Sequence, residues 1–117
     1  WERKKMKEIV EKYFENFNNH DIAGLSELYS DDIILKDWIT TLMGKDEVLS
    51  GNSDAFSTLE HISISVKNIY ESDSGVACEI DISIVNEKES ILLHVVDVLT
   101  INEEGKISEV RAYVLNP

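Results

Sequence analysis

The chain has 117 residues, with 11 Lys and Arg against 23 Asp and Glu, a net charge of −12. That balance disfavours DNA, RNA and anionic lipid as partners, since those need clustered basic residues, and a hydrophobic content of 43% is too high for a disordered acidic tail. A single cysteine, Cys78, excludes an intramolecular disulfide and a Cys-based zinc site.

No repeat, low-complexity stretch or linker interrupts the sequence, which predicts one domain over residues 1–117. Residue 1 is Trp, so the chain reads as a trimmed, processed or fused form of a longer one, with residues 1–5 upstream and Met6 a candidate natural start. Apolar runs are too short for a bilayer span, and the N-terminus lacks the apolar stretch of a signal peptide. The expected compartment is the cytoplasm.

From the N-terminus, Met6, Ile9, Val10, Tyr13, Phe14 and Phe17 recur at the spacing of one helix face. Asn18-Asn19-His20 breaks this helix, and Asp21 is a good N-cap for a second with the stripe Ile22, Leu25, Leu28 and Tyr29. Ser30-Asp31-Asp32 closes it, and Ile33 to Trp38 reads as a strand. Gly44 precedes a third helix with Asp46 and Glu47 at its positive end and Val48, Leu49 and Phe56 as apolar positions. Gly51-Asn52 weakens its middle.

After His61 the pattern alternates. Ile62, Ile64 and Val66 face one way in the next strand, and Val76, Cys78, Ile80, Ile82 and Ile84 face the core in the one after. Ile91 to Ile101 is apolar on both faces, and Lys106 to Leu115 is the last strand. Turns fall at Ser72 to Gly75, Asn86 to Glu89 and Asn102 to Gly105, the last ending in a Gly suited to a left-handed position. The order is αα-β-α-ββββ. It predicts an α+β fold in which three N-terminal helices cover a curved, mostly antiparallel sheet and leave a pocket between the layers.

Two acids fall where solvent is not expected. Asp97 lies in the alternate row Leu93, Val95, Asp97, Leu99, Ile101, and a carboxylate in an apolar row must be paired, hydrogen-bonded or protonated. Pairing with Arg111 would need Arg111 to point inward, whereas Val110 and Ala112 read as the inward pair. Asp37 shares a face with Ile33 and Leu35 at a strand end, which suits a pocket mouth or a turn cap equally. Tyr13 sits among Ile9, Val10 and Phe17, where it is ordinary core or a hydroxyl in need of a partner. His20, His61 and His94 show no metal-ligand spacing, and Cys78 reads as inert packing.

The chain resembles the nuclear-transport-factor-2-like superfamily, in its ketosteroid isomerase and SnoaL-like polyketide cyclase branch. The resemblance spans almost the whole sequence, through Tyr13-Phe14, His20-Asp21-Ile22, Leu28-Tyr29-Ser30-Asp31-Asp32, Leu35-Lys36-Asp37, Gly44-Lys45-Asp46-Glu47, Val95-Val96-Asp97-Val98 and Glu104-Gly105-Lys106-Ile107. It implies a cone-shaped fold and cofactor-free, metal-free proton transfer α to a carbonyl of a small hydrophobic molecule, or an aldol-type cyclisation. It also implies roles: Asp37 as general base, Tyr13 as oxyanion-hole donor, and Asp97 as the neutral acid that is the second donor. Expected pocket-lining residues are Phe17, Tyr29, Leu35, Asn52, Phe56, Val95, Leu99 and Val114. The chain departs from the isomerase pattern at Trp38 in place of Pro, at Asn52 in place of a supporting tyrosine, and at Val114 in place of an aromatic residue.

Alternatives to an enzyme are a non-catalytic small-molecule-binding module with the same cone, and a dimerisation module. The family commonly dimerises through the outer sheet face, and the row Leu92, His94, Val96 and Val98 implies a homodimer contact there.

Overall fold

The computed structural model describes residues 3–116, with side chains from Lys5 onward; Trp1 and Glu2 of the expected upstream segment lie outside them. The elements are α1 (Arg3–Asn18), α2 (Ile22–Leu28), β1 (Tyr29–Lys36), β2 (Thr41–Met43), α3 (Lys45–Thr58), β3 (His61–Glu71), β4 (Gly75–Asn86), β5 (Glu89–Ile101) and β6 (Ile107–Val114). The α+β class and the packing of three helices on a curved sheet are as expected. Two features of the order are corrected. A short strand, β2, stands between β1 and α3, and β1 starts at Tyr29 and ends at Lys36, where Ile33 to Trp38 was expected. Tyr29 is therefore the first residue of a strand and not the last of a helix stripe.

The stripe on α1 does what its spacing requires: Met6, Val10, Tyr13, Phe14 and Phe17 are all buried. The helix stops where Asn19, His20 and Asp21 donate back to Glu15, Phe17 and Asn16, with His20 at φ 54°. Asp21 then caps α2, its Oδ1 accepting from the Gly24 amide at 2.9 Å. Gly44, at φ 91°, makes the turn into α3 in a region that side chains disfavour. Its amide donates to the Ile33 carbonyl at 2.7 Å, which ties the helix start to β1.

The sheet order is β2-β1-β6-β5-β4-β3. All neighbours are antiparallel except β1 and β6, which run parallel, with α3 and the four strands β2 to β5 between them in the chain. The alternation read from β4 and β5 holds: Val76, Cys78, Ile80, Val95, Asp97, Leu99 and Ile101 are buried. It fails at Val66, which is 39% exposed. The register between β3 and β4 slips between Val66 and Asn68, and this bulge ends the core-facing row begun by Ile62 and Ile64.

Candidate functional site

A cavity of about 490 Å³ lies between the inner sheet face and helices α1 and α3. Its walls are mostly aliphatic, with Leu35, Leu42, Ile62, Ile64, Ile82, Ile84, Leu93 and Val110 among them. The polar side chains at its surface are Tyr13 from α1, Asn52 from α3, Asp97 from β5, and Asp37 and Thr40 from the turn between β1 and β2.

Tyr13, Asp37 and Asp97 are thus brought to one cavity, together with Phe17, Leu35 and Asn52. Five residues expected at the wall are not on it. Tyr29 lies beneath it and donates from its hydroxyl to Asn52 Oδ1 at 2.7 Å. Phe56 packs edge-on against Phe17, with centroids 5.0 Å apart, and stacks on His20. Val95 and Leu99 fill the core, at 3% and 0% exposure, and Val114 packs against the core and lines a neighbouring depression with Lys36, Trp38 and Arg111.

The register of three strands fixes how the two acids relate. On β6, Ala112 pairs with Asp97 of β5, and Arg111 pairs with Lys36 of β1, so Asp37 comes level with Ala112 on the far side. The backbones of Asp37 and Asp97 are then two strand spacings apart, about 10 Å. Only a methyl group separates them along the sheet floor. On its other flank Asp97 pairs with Cys78, another small side chain.

Asp97 is 5% exposed and makes no hydrogen bond among the described residues. The Arg111 guanidinium pairs with Glu109 and not with Asp97, as its outward parity requires. Burial without a partner pushes the Asp97 carboxyl up to about 7. Tyr13, 3% exposed, likewise bonds to no described residue. Burial, then the neighbouring Tyr29, Asp97 and Cys78, holds its phenol well above the ordinary value. Tyr13 therefore stays protonated well beyond neutral pH and Asp97 stays protonated up to about pH 7, and both open onto the cavity. Burial also pushes the Cys78 thiol up to about 12, so its fully buried sulfur is no nucleophile at neutral pH.

Asp37 is half-buried, and it caps a turn as well as lining the cavity. Its Oδ1 accepts from the amides of Ile39 and Thr40, both at 2.7 Å, while its own amide donates to the Thr40 carbonyl at 3.0 Å. This turn carries Trp38 and Ile39, 44% and 81% exposed, to the rim of the cavity. Neither rim residue was expected in the site. The signal was present in Trp38-Ile39-Thr40-Thr41-Leu42, a β-prone run directly after Asp37, which forms the unexpected hairpin. Among the described residues, no group of three or more His, Cys, Asp or Glu side chains is placed to hold a metal.

The model of the SnoaL-like domain family matches residues 10–110. The chain belongs to the SnoaL-like domain family. No curated protein matches it, whereas many solved structures do. This SnoaL-like chain superposes on Bal32a from a soil-derived mobile gene cassette with a TM-score of 0.90 at 13% identity, over 97% of this chain and 92% of that one. It superposes on a protein of ketosteroid isomerase-like fold from Catenulispora acidiphila DSM 44928, solved in complex with trimethylamine, with a TM-score of 0.82 at 14% identity, over 91% and 84%. The LEH-like epoxide hydrolase of M. tuberculosis gives a TM-score of 0.82 at 15% identity, over 92% and 80%. At such identities the SnoaL-like chain shares a fold with these proteins; function has to be argued from its own side chains.

Proposed function

We propose that the cavity carries out cofactor-free proton transfer α to a carbonyl of a small hydrophobic molecule. The observation that carries this reading is the placement of Tyr13 and Asp97, two proton-bearing groups without protein partners, on the cavity that Asp37 also lines. In this reading the Asp37 carboxylate takes a proton from the carbon next to the carbonyl. The C–H bonding pair becomes the carbon–carbon double bond of an enolate, and the carbonyl oxygen takes the negative charge. Hydrogen bonds from the Tyr13 hydroxyl and the neutral Asp97 carboxyl stabilise that oxygen in a dry pocket. Asp37 then returns the proton to a different carbon, which completes an isomerisation; attack of the same enolate on a second carbonyl would make it a cyclase. The separation of Asp37 from Asp97 supports a division between proton carrier and oxyanion donor, since the reacting carbon and oxygen need separate partners.

The Asp37 carboxylate is suited to the base role because two amides fix its Oδ1 and so orient the other oxygen. The test is a panel of β,γ-unsaturated ketones, from 3-cyclohexenone to a 3-oxo-Δ5-steroid, followed by ultraviolet absorbance of the conjugated product. At least one should be converted, and Asp37→Asn should lower that rate by about 10²-fold or more. A rate that Asp37→Asn leaves unchanged would remove Asp37 as the base. Conversion of none of the panel would favour the binding-module alternative. We further propose that two copies associate through the outer sheet face, around Val96.

A further inference from the structure

Asn52 lies on α3 with its amide at the cavity wall. Its Oδ1 is held by the Tyr29 hydroxyl at 2.7 Å, and both residues are buried, at 7% and 1% exposure. A carboxamide is planar, so fixing Oδ1 also fixes the direction of Nδ2. That nitrogen donates to no group among the described residues, yet no fully enclosed side-chain nitrogen or oxygen there lacks a partner. Nδ2 is therefore open to the cavity space. Tyr29 is a stable anchor for this arrangement, because burial first and Asp97 second push its phenol well above the ordinary value and keep it a donor. Its ring centroid is 6.3 Å from that of Tyr13, which places Asn52 toward the end of the cavity where Tyr13 and Asp97 lie.

A buried amide donor left facing an apolar cavity is a liability unless the occupant supplies an acceptor. We propose that Asn52, aimed by Tyr29, is a specificity-determining donor that recognises a second acceptor oxygen on the ligand. The cavity then selects planar molecules with two oxygens over those with one. This rests on the reading of Tyr13 and Asp97 as donors to the first oxygen. Tyr29 is a positioning residue in this scheme: it touches the amide and not the ligand.

The experiment compares 2-naphthol with 1,3- and 2,3-dihydroxynaphthalene, titrated into the intact chain at pH 6 and followed by fluorescence. At least one diol should bind about fivefold to tenfold more tightly than 2-naphthol. In Asn52→Leu that ratio should fall to about one. In Asn52→Asp, which keeps the acceptor for Tyr29 and removes the donor, it should fall to one or below. Tyr29→Phe should reduce the ratio without abolishing it, a selectivity effect that loss of packing alone would not produce. Binding of 2-naphthol with no gain for either diol, or a gain that survives in both Asn52 variants, overturns the assignment of Asn52 alone. Binding of none of the three compounds overturns the Tyr13 and Asp97 reading and this inference with it.

Discussion

Among individual residues the unusual one is Asp97, whose backbone position and side-chain surroundings follow from the alternation of one strand. Its neighbours across the sheet, Cys78 and Ala112, are small and offer no charge. Desolvation therefore acts unopposed and raises the carboxyl from 3.8 to about 7. The folded state holds this proton more tightly than the unfolded chain does. The stabilisation from that difference is fully present below pH 3.8 and is lost as pH rises through about 7. Ionisation at higher pH then costs up to roughly 4 kcal/mol of stability. Asp97→Asn removes the titration while keeping the shape. Denaturant unfolding should show the variant gaining on the parent chain between pH 4 and pH 8, by up to that amount. Parallel stability profiles for the two proteins would show that Asp97 does not titrate in this range.

At the scale of elements, period and cap signals were legible in the sequence wherever one local rule acted alone. The stripe on α1, the Asp21 cap on α2 and the apolar rows of β4 and β5 follow from spacing, and all are present. Tyr29 was misplaced because it continues the apolar spacing of α2, while its buried hydroxyl needs Asn52, 23 residues away, and that contact is invisible to a local window. Strand β2 is too short to show alternation, so its only mark in the sequence is the β-prone run leading into it, and it is held by pairing with β1. Val66 was placed inward because a bulge has no signature in the residues around it. Of the site, Tyr13, Asp37 and Asp97 were legible as polar groups out of place, whereas their meeting depends on the parallel register of β1 with β6. The same register separates cavity wall from deep core. It leaves Val95 and Leu99 in the core while Ala112, between the acids, lines the cavity.

Over the whole molecule, the outer sheet face is a mixed surface. Leu92, Tyr113 and Leu115 are 52%, 57% and 81% exposed, but the row through Val96 is interrupted by a charged cluster. Asp81 accepts from His94 Nδ1 at 2.7 Å and from Lys67 Nζ at 3.0 Å, contacts that hold its carboxyl below the usual range, His94 contributing most. An association through this face would bury aliphatic and aromatic groups around a polar centre, and the net charge of −12 on each copy opposes it at low ionic strength. Sedimentation at micromolar concentration and moderate salt should give a dimer, and Val96→Glu should shift it toward monomer. A monomeric parent chain under those conditions would contradict the association. No described helix is long and apolar enough to cross a membrane.

In the proposed function, Tyr13 and Asp97 donate to one oxygen of a ligand in the cavity. The measurement that reaches it most directly is the binding of 2-naphthol, a planar mimic of an enolate, to the intact chain and to Tyr13→Phe and Asp97→Leu. Saturable binding at pH 6, weakened about tenfold by each substitution and weakening in the parent as pH rises through about 7, is the predicted result. Absence of saturable binding, or binding that neither substitution alters, would contradict it.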